Sequence, residues 1–298
     1  MDESSLEIFL AVAAELSITR AAVQVGRVQS NVTTRIQQLE RDLGVDLFRR
    51  EGKRLSLTPE GERFRDYANR MVALTQEMRQ ALHPQAPSGK LRIGCMESTA
   101  ATRLPEPLAR FHQRWPQVEL NVVTGPSRAM LEATRNGLVD CAFVALYGGS
   151  DIRSEADLLE MRLRGARMYE EELVLVLPAD HPPVRKPGDV AVRSLAAFGR
   201  GCSYRALAED WLAPRDPALK IQEVASYHAM LACVACGRCT CLLPRAVLNL
   251  ANPSPALQIL DIARMDTWLV WRADFSAASL EALREILPGG TVRNLDDR

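Results

Sequence analysis

The sequence predicts an α/β protein in which a small helical unit with a basic hairpin precedes a larger unit of alternating strands and helices. Three observations carry that expectation. Apolar residues recur at helical spacing through the first 82 positions, "HPQAPSGK" at 83–90 has a linker's proline and glycine content, and the remaining two hundred residues alternate short apolar strands with helical stretches. At 298 residues the chain exceeds the size at which one core stays comfortable, which implies two or three domains.

Leu6, Phe9, Leu10, Ala13, Ala14 and Leu16 fall on one helical face and predict a first helix. Ser17 and Thr19 are N-cap residue types for a second helix through Val25, in which Ala21 and Ala22 are small enough to let another helix cross closely. Gly26 permits a tight turn, and a third helix follows from Val28 to Asp42. Two short helices joined by a glycine turn form a helix-turn-helix, whose second helix can lie in a major groove. That helix sets Val28, Val32, Ile36 and Leu39 on one face and Gln29, Ser30, Asn31, Thr33, Thr34 and Arg35 on the other. Short polar groups at a helix N-terminus are what phosphates and base edges require, so these six are candidate DNA contacts.

"LFRREGKRLSLTPEG" reads next as a β-hairpin wing whose tip carries Arg49, Arg50, Lys53 and Arg54, candidate phosphate contacts. The whole chain has 37 basic and 37 acidic residues, but between Ile18 and Thr58 eight basic residues face four acidic ones. Neutrality is therefore a sum over unlike parts. A solvated helical bundle with a charged loop is the bland alternative for the helix-turn-helix spacing alone. Thr58, Pro59 and Glu60 then start a helix that runs to His83. Its apolar stripe of Phe64, Ala68, Met71, Leu74, Met78 and Leu82 is more than a lone helix can bury, which predicts a homodimer.

Residues 1–90 resemble the winged helix-turn-helix and linker helix of LysR-type transcriptional regulators. The resemblance rests on Phe9, Ala21, Ala22, "QSNVTTRIQQLE", "LGVDLFRR" and "LTPEG". Beyond them, "LRIGCM" (91–96), "VELNVVTG" (118–125) and "VDCAFVAL" (139–146) read as buried strands, with helical segments at 100–114 and 126–136. A second set comprises "ELVLVLP" (172–178), "AFGRG" (197–201), a helix at 203–212, "IQEVAS" (221–226), a helix at 227–236 and "CTCLLP" (239–244). "TWLVWRA" and a helix at 276–287 complete the pattern. Such alternation implies a parallel sheet.

This pattern is similar to the family's effector-binding half, which resembles a periplasmic binding protein. The resemblance implies a DNA-binding domain at 1–58, a dimerising linker helix and hinge at 59–88, and an effector domain at 89–298. The last divides into subdomain I (89–162 and 267–298) and subdomain II (163–266), with a ligand cleft at the carboxyl ends of the strands. Ser98 and Thr99 follow the first strand at the start of a helix; either their hydroxyls and the helix N–H groups hold an anion, or one of them is an N-cap. Thr124 and Ser127, around "TGPS", hold the matching position after the second strand, with turn chemistry as the alternative. The resemblance implies that Cys202, Ser203 and Tyr204 of "GCSYR", and Ser226, face them across the cleft. A small organic anion is the expected effector.

"CVACGRCTC" places Cys233, Cys236, Cys239 and Cys241 within nine residues. The first two fall on the end of a helix and the last two on a strand, which makes them small apolar packing residues rather than metal ligands. No metal or other cofactor is expected. Cys202 sits near where the family's peroxide-sensing branch carries its reactive thiol, with Arg200 and Arg205 to supply positive charge; a thiol-responsive regulator is thus the alternative function. Seven cysteines in a chain of this length read as reduced thiols.

Catalysis finds little support. There is no G-x-S-x-G, P-loop or G-x-G-x-x-G, and the four histidines at 83, 112, 181 and 228 are scattered. Met1, Asp2 and Glu3 lack the character of a signal peptide, and no run is apolar enough to span a bilayer, so a soluble cytoplasmic protein without a membrane partner is expected. The resemblance implies a sequence-specific transcription factor, not an enzyme, whose partners are double-stranded promoter DNA, a small-molecule effector and copies of itself, dimers through the linker helix pairing into a homotetramer.

Overall fold

The structure is a computed structural model and describes residues 2–52, 54–82, 87–148, 155–212, 219–253 and 257–288. Two compact units make up the chain, essentially 1–83 and 84–298.

The first unit comprises α1 (Glu3–Glu15), α2 (Ile18–Gln24), α3 (Gln29–Leu43), the hairpin of β1 (Phe48–Glu51) and β2 (Arg54–Leu57), and α4 (Pro59–Leu82). Local chemistry sets the helix ends. The Asp2 carboxylate accepts from the Ser5 N–H at 2.8 Å to cap α1, and Ser17 Oγ accepts from the Arg20 N–H at 3.3 Å to cap α2. Gly44 closes α3 in the left-handed region at φ 70°. The core gathers on Phe9, whose ring centre lies 4.8 Å from that of Phe64, edge-on, and 5.3 Å from that of Phe48.

Several expected core positions turn outward. Ala14 and Leu16 are exposed while Ile8, Ala11 and Val12 are buried, because α1 packs against α2, α3 and α4 together and needs a wider apolar face than one stripe. Val28 is the exposed N-cap residue of α3, which buries Val32, Ile36 and Leu39 alone. The α4 stripe splits. Phe64 and Ala68 join the unit's own core, whereas Met71, Leu74, Met78 and Leu82, together with Tyr67, stay exposed.

The second unit begins with β3 (Gly89–Cys95), α5 (Glu97–Thr102), α6 (Pro105–Arg114), β4 (Val118–Thr124), α7 (Ser127–Arg135), β5 (Cys141–Ala145) and α8 (Glu155–Glu160). It continues through β6 (Leu163–Leu177), β7 (Ser194–Ala197), α9 (Ser203–Leu212), β8 (Lys220–Glu223), α10 (Tyr227–Ala235), β9 (Cys241–Pro244), α11 (Arg245–Ala251), β10 (Gln258–Arg272) and α12 (Ala278–Ile286). One sheet runs in the order β4-β3-β5-β10-β6-β9, and β7 pairs with β8 beside it. β3 is parallel to β4 and β5, and β7 to β8, as the alternation implies. The sheet is completed by antiparallel pairs, β10 with both β5 and β6, and β6 with β9. The cause is the route: the chain leaves the first lobe along β6 and returns along β10, so those two strands must run in opposite senses.

β6 and β10 pair over fifteen residues each, from Leu177 opposite Gln258 to Leu163 opposite Arg272. Their ends lie in different cores. Ala166 and Leu269 pack in the first lobe with Ile93, Phe143 and Leu283, and Leu163 and Val270 pack in its second cluster with Leu131 and Val144, so β6 begins inside that lobe. Leu173, Leu175 and Leu177 face one core of the second lobe, with Leu195, Tyr204 and Leu242, while Val174 and Val176 face another with Met230 and Leu243. The strand expected at 197–201 ends at Ala197, where Gly199 and a left-handed Gly201 turn the backbone, and that expected at 221–226 ends at Glu223. The helical segment at 100–114 is two helices, divided before Pro105.

Candidate functional site

In the first unit, Gln29, Ser30, Asn31, Thr34 and Arg35 are exposed and Thr33 is half-buried. Both threonines bond back to their own helix, Thr33 Oγ1 donating to Gln29 O at 3.0 Å and Thr34 Oγ1 to Ser30 O at 2.9 Å, which uses each hydroxyl's hydrogen and leaves its oxygen as an acceptor. Thr19 Oγ1 donates to Gln29 Oε1 at 3.3 Å, tying α2 to the first residue of α3. Among the described residues no side chain caps α3; the Asn31 N–H bonds to the Val28 carbonyl at 3.1 Å, and those of Gln29 and Ser30 stand at the positive end of the helix dipole. Such a terminus accepts phosphate.

Arg35 is held by an exposed ion pair with Asp2 at 3.4 Å, and Arg49 donates to Ser56 Oγ at 3.1 Å across the hairpin. Arg49, Arg50 and Arg54 are exposed on the hairpin, where Arg50 stands opposite Leu55. Lys53 lies outside the described residues. The Glu40 carboxylate, which no pattern in the sequence singles out, accepts from the Leu47 and Phe48 N–H groups at 2.9 and 3.1 Å and fastens the hairpin to α3.

In the second unit a cavity of about 420 Å³ opens between the lobes. Of the expected ligand residues, Thr124, Ser127, Cys202 and Tyr204 line it. Ser203 does not: its Oγ donates to Ala145 O at 2.7 Å, while Ser127 Oγ accepts from Ala145 N at 3.2 Å, so the two serines clamp one residue of β5. Ser226 caps α10, accepting from Ala229 N at 3.2 Å, and its neighbours Ala225 and Tyr227 take the wall. Ser98 and Thr99 are buried behind the lining, and neither is the N-cap of α5, which is Met96. The Ser98 hydroxyl is buried beside those of Tyr204 and Thr267, and that of Thr99 is buried as well.

Ser98 and Thr99, expected on the cavity wall, thus lie behind it. Met96 and Glu97 occupy the wall where Ser98 and Thr99 were expected, and the charge brought to the cavity is a carboxylate. Burial raises the Glu97 carboxyl above the usual range, opposed by the Tyr227 N–H and the His228 imidazole. Burial likewise raises the Tyr204 and Tyr227 hydroxyls, keeping both neutral hydrogen-bonding groups. Behind the wall, Arg103 pairs bidentately with the buried Glu171, Nε to Oε1 at 2.8 Å and Nη2 to Oε2 at 2.9 Å. The sequence signal for Tyr227 and Glu97 was their adjacency to Ser226 and Ser98; the backbone turns each outward residue by one position from the expected one.

Burial raises the Cys202 thiol, which opposes thiolate formation. The charge expected from Arg205 is already committed, its Nε to Glu209 at 2.7 Å and its Nη1 to Glu223 at 2.6 Å. In the cysteine cluster, Cys239 and Cys241 are buried in a core as expected, but Cys236 caps α10 in an exposed position. Cys233 accepts from Gln222 Nε2 and Cys239 donates to Gln222 Oε1, both at 3.2 Å. Among the described residues no group of three or more His, Cys, Asp or Glu side chains is placed to hold a metal ion, and no helix is long and apolar enough to cross a membrane.

Residues 4–62 match the family model of the bacterial regulatory helix-turn-helix protein, lysR family, and residues 84–290 match that of the LysR substrate binding domain. This chain belongs to the LysR family of transcriptional regulators. It is 37% identical over 254 residues to the HTH-type transcriptional regulator GltR of Bacillus subtilis (strain 168), covering 83% of this chain and 81% of that one. The fold of this LysR-family member is shared by a full-length OxyR from Pseudomonas aeruginosa, with TM-score 0.66 and 20% identity over 96% of each chain. Full-length CbnR in complex with its target DNA gives TM-score 0.65 and 20% identity, covering 96% of this chain and 99% of that one. The regulator is thus a DNA-binding protein with an attached effector-binding domain.

Proposed function

We propose that this regulator reads promoter DNA with Gln29, Ser30, Asn31, Thr33, Thr34 and Arg35 in a major groove. Arg49, Arg50, Lys53 and Arg54 hold flanking phosphates, and a small molecule in the cavity between the lobes controls the outcome. The uncapped, polar start of α3 carries this reading, because nothing in its own fold uses those N–H groups and side chains as a buried surface. The exposed α4 row of Met71, Leu74, Met78 and Leu82 supports a homodimer, which presents two recognition helices to successive grooves of an inverted repeat. By family resemblance two dimers form the working tetramer. The effector acts by differential affinity for the lobe arrangements, the one way a ligand can shift such an equilibrium. The protein acts as a sensor and not an enzyme, a reading supported by the regulators it resembles along its length.

Fluorescence anisotropy on footprinted genomic fragments separates the two classes of contact. Arg50→Ala with Arg54→Ala should weaken binding on all fragments and lower the salt slope by about 2, one for each phosphate that is no longer neutralised. Gln29→Ala or Thr34→Ala should instead change the preference among fragments, by about 1–3 kcal/mol at the affected base pair. An unchanged salt slope in the double arginine variant would remove the wing from the interface.

A further inference from the structure

The cavity's chemistry narrows the effector's class. Its wall is mostly apolar, with Met96, Pro126, Phe198 and Val224, and among the described residues that line it there is no lysine or arginine. Its one charged group among those residues is Glu97, whose Oε2 is buried and accepts no hydrogen bond. The nearby half-buried cation, Arg103, is consumed by the buried Glu171, and His228 lies outside the wall as an exposed side chain. A desolvated carboxylate oxygen without a donor is costly, and a ligand that brings a cationic donor removes the cost. A ligand carboxylate would instead add a second negative charge beside the first. Tyr204, on the same wall, adds a neutral hydroxyl.

We propose that the effector is a small organic amine whose ammonium group pairs with Glu97 while its apolar body lies against Met96, Phe198 and Tyr227. This rests on the reading of the cavity as the effector site. At about 420 Å³ the space suits a molecule of one ring or a short chain. The neutral tyrosines and the apolar wall exclude water around the pair, which strengthens it relative to an exposed ion pair.

The test uses the full chain and two matched probe sets, primary amines on phenyl, cyclohexyl and C5 to C8 alkyl bodies and the carboxylates on the same bodies, read by thermal shift and titration calorimetry. At least one amine should raise Tm and bind, with affinity reduced tenfold or more in Glu97→Gln and partly retained in Glu97→Asp, while its matching carboxylate leaves Tm unmoved. The proposal is overturned if no amine binds, or if amines bind wild type and Glu97→Gln alike. Carboxylates that bind in their place, and fail to bind Ala225→Trp, would preserve the cavity as the effector site with the class reversed. Carboxylate binding unaffected by Ala225→Trp would remove the cavity reading as well.

Discussion

Burial disfavours the charged form of Glu97. Its carboxyl is held above the ordinary value of 4.5, chiefly by burial. The native state therefore binds more protons than the unfolded chain between that value and its own raised one, and stability falls as pH rises through the window. Glu97→Gln removes the penalty. Thermal unfolding without ligand should find that variant more stable than wild type at pH 7.5 and the two equal below about pH 4, where both states carry the protonated acid. Equal stability at both values would mean that the carboxylate is solvated. Single residues were legible where the chemistry is local: Ser17 as a cap, Gly26 as a turn, the polar side of α3. Ser98 and Thr99 were legible as hydroxyls at a helix start, yet which side chain faces the cavity depends on the rotation of α5 against the second lobe, and no local pattern encodes that.

The junction of hairpin and α4 shows how an element boundary is fixed. Thr58 Oγ1 accepts from Gly61 N at 2.9 Å and donates to Asp46 O at 2.7 Å, so one hydroxyl caps the helix and grips the preceding loop. Gly61 lies so close to the Leu47 carbonyl that a Cβ there would collide with backbone. Gly61→Ala should destabilise the first unit by about 1–3 kcal/mol or more in denaturant melts, as overpacking does against an atom that cannot swing away. A wild-type melt would show that the loop yields freely. Helix and turn elements of this kind can be read from a sequence because their causes lie within a few residues. The outer parts of β6 and β10 could not. "LRGARMYEE" alternates buried with exposed positions through charged residues such as Arg167, paired with Asp266 at 2.7 Å, and those partners lie about a hundred residues away in sequence. α11, seven residues directly after β9, offers too few turns to show a period.

At the scale of the whole molecule, the proposed dimer turns on one surface. Met71, Leu74, Met78 and Leu82 project from α4 at exposures of 42 to 69%. A row this long on one helix is what a second copy would cover. Leu74→Glu with Met78→Glu should lower the solution mass by light scattering and weaken operator binding by about 10²-fold or more, since two half-sites would no longer be engaged together. Unchanged mass would place the dimer contact elsewhere. Family and architecture were legible at this scale because helix periodicity, wing composition and strand alternation agree along the entire chain.

The paired fifteen-residue strands β6 and β10 impose a mechanical limit on the sensor. Being common to both lobes, they cannot part without breaking their ladder, so the lobes must reorient by torsion of a continuous ribbon. The ladder slips register between Asp261 and Ala263 and again between Thr267 and Trp268, and such irregularities are where a ribbon coils most readily. On the proposed function, a bound molecule would wind or unwind a spring whose two soft points lie one in each strand, at Ile262 of β10 and Met168 of β6, and its signal would be an angle rather than a distance.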